Sequence, residues 1–519
     1  TMGLAGWMGF YLTGPSSSAP TVILTLAVAD CIHILTTMLY EMRHGMEKRK
    51  AILESLRVNF QPILLTSVTT AIGFLSMNFS DSPPFNDLGN LVAIGVMLAF
   101  LFSITLFPAL LSVMPIRVKS EAERKSDFMA ALAEFVIAKR RILLPAFTLL
   151  IVGLAIFVPK NELNDDFVKY FDTSVPFRQA TDFMQTNVSG MMTQEIEVNS
   201  KISSGINEPE FLKALGDFSD WMRQQPETDN VNILSDIVRR LNKNMHGDDP
   251  SYYRLPDNRE LSAQYLLLYE MSLPYGLDLN NQIDVDKTAT RVIVTTKNLT
   301  STQNIQLEQR IQNWFAENAP QYEAKLASPN LMFAHIGQRN IQSMLLGTTI
   351  ALMLISLLLG IALRSVKFGF ISLIPNLVPA AMGFGIWFFI DGQVGLALSV
   401  VTGMTLGIVV DDTVHFLSKY LRARRIKNKN AEEAVRYAFS SVGHALWITT
   451  LVLIAGFMVL AQSSFKLNAD MGLLTAITIA IALIIDFLFL PPLLMKIDGE
   501  KKASTLDSTS TGATEHATS

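Results

Sequence analysis

Three aspartates stand inside stretches that are otherwise almost free of charge: Asp30 within residues 20–41, and Asp411 and Asp412 within 394–417. A carboxylate in the middle of a membrane helix costs about 2.5–3.5 kcal/mol on insertion scales, so such acids are retained for chemistry, above all proton transfer. Each has a histidine one helical turn away. Asp411 and His415 are spaced i,i+4, while Asp412 and His415, and Asp30 and His33, are spaced i,i+3, so each imidazole can face a carboxylate. Burial and neighbouring charge pull a carboxyl group in opposite directions, and imidazole changes charge near neutral pH, so the set can load and release protons. The expected relay is Asp30, Asp411, Asp412, His33 and His415. The competing reading is a structural Asp–His pair near a helix end, with His415 snorkelling toward the headgroups.

Gly403 and Gly407 precede Asp411 at four-residue spacing and put a small-residue stripe on the acid's helical face, where a partner helix can approach closely. Hydroxyls on the next helix of each half, Thr66, Ser67, Thr69 and Thr70 and then Thr449 and Thr450, can hydrogen-bond to the acids, with Thr66 and Thr449 expected to support the relay. Asp486 is a further acid in an apolar stretch; five residues before Pro491, it reads equally well as a helix-end carboxylate. No HExxH motif occurs, and the single Cys31 excludes an internal disulfide framework and a Cys-based zinc site. No catalytic residue, metal or cofactor is expected.

These residues are carried by a chain that is 50% apolar and 17% charged, with mean hydropathy +0.31, a composition unlike that of a soluble enzyme. Nine stretches have the length of a membrane-crossing helix: 20–41, 61–79, 88–113, 142–158, 343–363, 368–390, 394–417, 444–462 and 470–495. Residues 161–340 hold 25 acidic and 16 basic residues; the remainder holds 21 and 26. Twenty-four of those 26 lie in 42–57, 115–141, 364–367, 419–443 and 496–502, alternating with connections nearly free of Lys and Arg. The positive-inside rule makes the basic set cytoplasmic and the acidic region extracytoplasmic.

The expected organisation is a partial span plus three spans at 1–114, a basic cytoplasmic linker at 115–141, a span at 142–159, an extracytoplasmic α/β domain at 160–342, a five-span bundle at 343–497 and a disordered tail at 498–519. Inside the α/β region, strands are expected at 195–200, 231–237, 291–296 and 331–336, and helices at 207–224 and 302–316. Two β-α-β units suggest a ferredoxin-like module.

An internal repeat organises the rest. AVADCIHIL at 27–35 pairs with VVDDTVHFL from Val409, aligning Asp30 with Asp412 and His33 with His415. ILLTSVTTAIGFL at 63–75 pairs with LWITTLVLIAGFM at 446–458. Both copies share one orientation by charge, so the repeat is parallel. Its first copy starts part-way through, and a further span and outer domain are expected upstream.

GIVVDDTVHFL at 407–417, the basic helix after it, TSVTTAIGFL and SLIPNLVPAAMG at 372–383 resemble the resistance–nodulation–division (RND) exporters, and within them the hydrophobe-exporting MMPL-like branch, whose spans overlap the sterol-sensing-domain pattern. The resemblance covers essentially all of 1–497. It implies proton-driven export of hydrophobic or amphiphilic molecules, such as lipids or drugs, across a cell membrane, the bacterial inner membrane by that likeness, with the acids of two spans, here Asp30 and Asp411 with Asp412, as relay. The partners are protons, the substrate and the membrane, with room for a homo-oligomer or periplasmic partner and no nucleic acid. One departure is that the first copy has Ala29 where the second has Asp411, and Thr25 where it has Gly407. The Phe-Glu-Arg-Ile-Arg-type sequence of the protein-translocation branch is absent from FLSKYLRARR, and an intramembrane aspartyl protease would not need a duplicated unit. A non-transporting lipid sensor or scaffold is the alternative; it keeps the spans but has no need of titrating acids.

Overall fold

The computed structural model describes residues 1–116, 128–166, 168–274 and 276–498. The middle of the 115–141 connection and all but the first residue of the 498–519 tail lie outside the described residues.

A chain in hydrocarbon must satisfy its own backbone hydrogen bonds, so the apolar runs become helices. Nine helices among the described residues are long and apolar enough to cross a membrane, and the protein is a multi-pass α-helical membrane protein. Helices α1 (Ala19–Arg43), α2 (Lys48–Leu75), α3 (Pro83–Ile104) and α4 (Phe128–Ala155) come first.

The α/β region follows. Its strands are β1 (Met192–Asn199), β2 (Thr228–Asn232), β3 (Ala289–Thr296) and β4 (Glu323–Ala327), and its main helices α5 (Pro209–Arg223), α6 (Leu234–Met245) and α7 (Ser301–Asn318). The sheet order is β2-β3-β1-β4, with every neighbouring pair antiparallel and Ile196 of β1 opposite both Val292 and Leu326. Alternation sends Ile196, Val198, Val292 and Val294 to one face, where Phe211, Leu215 and Phe218 of α5 and Leu307 and Ile311 of α7 close a core. This region thus has an apolar interior of its own, separate from that of the spans.

Two expected strands are corrected. Residues 331–336 are helical, because the Ser328 hydroxyl accepts from the Leu331 N–H at 3.1 Å and Pro329 supplies a helical φ at the first position. The stretch 231–237 leaves the sheet at Asn232, and Leu234 begins α6. The helix that starts at Pro329, α8 (Pro329–Ala362), runs 34 residues without interruption into the spans, so the expected boundary at 342/343 falls inside one element. Helices α9 (Val366–Ile390), α10 (Val401–Arg425), α11 (His444–Leu460) and α12 (Lys466–Leu488) complete the bundle.

Below the α/β region, Glu162–Leu163 pairs in parallel with Gln393–Val394. Asp165, just beyond, accepts from the Tyr170 hydroxyl at 2.7 Å and from the Leu396 N–H at 3.0 Å. Burial pushes its carboxyl above the ordinary range, and the two hydrogen bonds pull it part of the way back. A native value above the unfolded one, about 3.9, means that its contribution to stability is complete below that value and is lost as pH rises through the native value. Asp165→Asn, permanently neutral, should flatten that part of the pH dependence of thermal unfolding; a wild-type slope in the variant would refute the assignment.

Candidate functional site

Helix α10 is the most enclosed of the spans, with nineteen of its 25 residues buried, and its polar side chains fan out to different neighbours. Asp412, 4% exposed, points toward α11, where the Thr450 hydroxyl donates to its Oδ2 at 3.0 Å. Thr413 points toward α12 and donates to Asp486 Oδ1 at 3.0 Å. Asp411 faces the first half of the chain. Its Oδ1 lies 3.4 Å from His415 Nε2 and its Oδ2 lies 4.0 Å from His33 Nε2, with Thr66 of α2 alongside. Asp30 lies close to Asp411 and to Ser67.

The imidazoles of His33 and His415 stack face to face, centroids 3.9 Å apart and planes 1° from parallel. Through this contact α1 meets α10 at the depth of the acids. The backbones pack crosswise instead, α2 on α10 and α1 on α11. A Cβ added at Gly73 would lie 2.8 Å from Gly407 Cα and 2.9 Å from the Gly403 carbonyl, and the Thr70 hydroxyl donates to the Gly407 carbonyl at 2.9 Å. On the other side a Cβ at Gly456 would lie 2.4 Å from Thr25 Oγ1. Absent side chains at these points let the helices close on the acids.

The structure therefore brings His33, Asp411 and His415 into one group, with Asp30 close to Asp411 and Thr66 beside them, while Asp412, next in the chain, turns toward α11. It also redistributes the support. Thr449 donates to the Ala445 and Leu446 carbonyls of its own helix, each at 3.0 Å, and its neighbour Thr450 makes the contact with Asp412. Asp486 lies in the last turn of α12, as its distance from Pro491 suggested, but it is wholly buried and bonded to Thr413 and does not face the interface. Sequence reasoning missed Thr413 and the buried Lys419, one turn beyond His415, which was counted with the basic segment 419–443.

Several buried atoms of the cluster have no hydrogen-bond partner: His33 Nε2, both ring nitrogens of His415, Asp411 Oδ1 and Asp412 Oδ1. Such orphans usually cost about 1–3 kcal/mol each, so each is a place that a water, a proton or a cation could satisfy. No metal was expected from the sequence, yet His33, Asp411 and His415 present ligand atoms all within 4.8 Å of one another, a trio that can hold a divalent ion. With bonds of 2.0–2.1 Å, tetrahedral zinc donors stand roughly 3.4 Å apart, so these side chains would have to converge to close on that metal.

A bundle of apolar spans around a buried acid–histidine cluster, interrupted by an α/β region, defines a polytopic α-helical membrane protein. More particularly, the chain belongs to the MMPL family, whose model matches residues 11–136 and 279–512. It is 25% identical over 148 residues to a membrane protein of Methanocaldococcus jannaschii, which amounts to 28% of this chain and 38% of that one. The hedgehog release protein Disp of the water bear Hypsibius dujardini superposes with a TM-score of 0.58 at 16% identity, over 91% of this chain and 62% of that one. SecDF in its super-membrane-facing form gives 0.54 at 14% identity, over 93% and 54%. The two structures share the fold, and this chain spans less than two thirds of the length of each of the three.

Two substitutions probe how the site is held. Thr450→Val, nearly isosteric, should lower stability by about 1 kcal/mol by removing the hydrogen bond to Asp412, and Thr449→Val should cost less, as read by unfolding in mixed micelles; equal effects would show that the Asp412 contact contributes nothing. Gly73→Ala should lower stability by about 1–3 kcal/mol, since its Cβ meets backbone, whereas an unchanged melting temperature would show that α2 and α10 can part freely.

Proposed function

We propose that this chain works in proton-driven export of hydrophobic or amphiphilic molecules, lipids or drugs, by proton antiport, with Asp30, Asp411 and Asp412 as the relay and His33 and His415 as its partners. The observation that carries this reading is the buried cluster in which Asp411 lies beside two stacked imidazoles, with Asp30 close to it and Asp412 next to it on α10, and several of its polar atoms have no fixed partner. Carboxyls this close titrate as a set, so a proton gained or lost at one changes the charge felt by all. The stacked pair is sensitive to that change, because protonating one ring places a charge against the other and favours a different packing of α1 on α10. Transmitted along the spans to the α/β region, such a change would open or close a path for substrate. The relay is lopsided, since Asp411 has Ala29 as its counterpart.

The crosswise contacts, Gly73 on Gly407 and Gly456 on Thr25, support a parallel two-copy architecture, because the repeat alignment pairs the same positions with each other. The strand order β2-β3-β1-β4 with helices between the strands supports a ferredoxin-like module. Alternating basic connections support an extracytoplasmic α/β region and a cytoplasmic C-terminus, while a bacterial inner-membrane setting rests on the resemblance to the exporters. The water-bear neighbour is named as a release protein, which fits export.

In proteoliposomes holding the complete protein, Asp412→Asn and Asp30→Asn should each cut substrate-coupled proton flux at least about tenfold, the loss of one well-placed proton carrier, while substrate binding persists. His415→Ala should be milder. Wild-type flux in both aspartate variants, read with a pH-sensitive dye, would remove the relay and favour the lipid-sensor alternative.

A further inference from the structure

At the end of the bundle away from the α/β region, a cavity of about 600 Å³ opens between α2, α8 and α10. Five cationic side chains line it, Arg57, Arg364, Lys419, Arg422 and Arg425, against one acid, Glu54. We propose that this cavity binds the phosphate group of an anionic membrane lipid.

Lys419 is the first support. It is 6% exposed and has neither a hydrogen bond nor an ion pair among the described residues. An ammonium group taken out of water without a counter-charge is strongly unfavourable, so its position calls for an anion. Nothing in the wall supplies one: Glu54 stands 3.8 Å from Arg57 at the exposed rim. Arg425 donates one N–H to the Leu363 carbonyl at 2.6 Å, which fixes its guanidinium at the mouth and leaves its other donors available.

Arg364 adds an independent indication. It ends α8 in the left-handed region, φ 49°, with the Ser365 N–H donating back to the Gly360 carbonyl at 2.9 Å. Glycine is the usual residue in this helix-ending position, since a side chain there is strained. An arginine occupies it and lines the cavity.

The remaining wall favours a lipid over a dissolved anion. Val58, Pro62, Leu65 and Ala362 line the same cavity, so an apolar surface continues from the cationic mouth along α2 and α8, both of which cross the membrane. A diester phosphate can sit among the cations while its acyl chains follow that surface. The occupant would bridge α2 to α10, one turn beyond His415. The proposal does not depend on proton transfer.

The test is binding of lipid to the full chain in detergent micelles, followed by native mass spectrometry, with phosphatidylglycerol compared with phosphatidylcholine of the same acyl chains. Phosphatidylglycerol should bind in preference, and Lys419→Gln and Arg422→Gln should each weaken it about fivefold, the effect of one basic residue near an anionic surface. Arg422 is exposed, so its variant keeps the test open if Lys419→Gln fails to fold. Inorganic phosphate should compete only weakly. Equal binding of the two lipids, or unchanged affinity in Arg422→Gln, would overturn the site; full competition by inorganic phosphate without lipid preference would overturn the lipid as its occupant. Neither result bears on the acid cluster.

Discussion

Carboxylates and imidazoles can be kept in a hydrocarbon layer only if protein surrounds them, and that requirement shapes the bundle. Helix α10, which carries Asp411, Asp412 and His415, is wrapped on nearly every side, while α4, which carries no acid in its apolar stretch, has only four buried residues. Wrapping alone would keep neighbouring helices a side chain's width apart. The glycines at 73, 403 and 407 remove that width where α2 crosses α10, and Gly456 does so where α11 crosses α1. The hydroxyls of Thr66, Thr450 and Thr413 can then reach carboxyls that water does not.

The three acids of the second half are not equivalent in this setting. Asp412 and Asp486 each receive a threonine hydroxyl, from Thr450 and Thr413, and are held in fixed surroundings. Asp411 sits between two histidines without an aligned hydrogen bond to either. Its counterpart in the first half is Ala29, so the repeat does not duplicate it. Asymmetry in the sequence thus coincides with the least satisfied position in the site.

Much of this was legible in the residues. Charge in an apolar run marked Asp30, Asp411 and Asp412, and the three- and four-residue spacings marked the histidines, because helical geometry follows directly from sequence distance. Rotation about a helix axis does not: choosing Thr450 over Thr449 needs the roughly 100° between successive residues to be fixed by packing on α10. Lys419 was hidden for a different reason, since a cation at the end of a span looks like one more member of a basic loop until three helices enclose it. Residues 331–336 alternate well enough for a strand, and were decided by the Ser328–Pro329 cap immediately before them. The four-stranded region was readable from its alternation, while its strand order needed contacts between residues far apart in the chain.

Helix α8 leaves the last strand of the α/β region after a single capping residue and continues to the far end of the bundle. Thirty-four residues at 1.5 Å each make a rod about 50 Å long, with no proline after its first residue and no other break to act as a joint. A tilt of roughly 5° about one end would sweep the other by about 4 Å, more than the width of a methyl group and comparable with the spacing of the stacked imidazoles. The sheet and the spans thus share one unbroken element, along which rocking in one can reach the other as leverage.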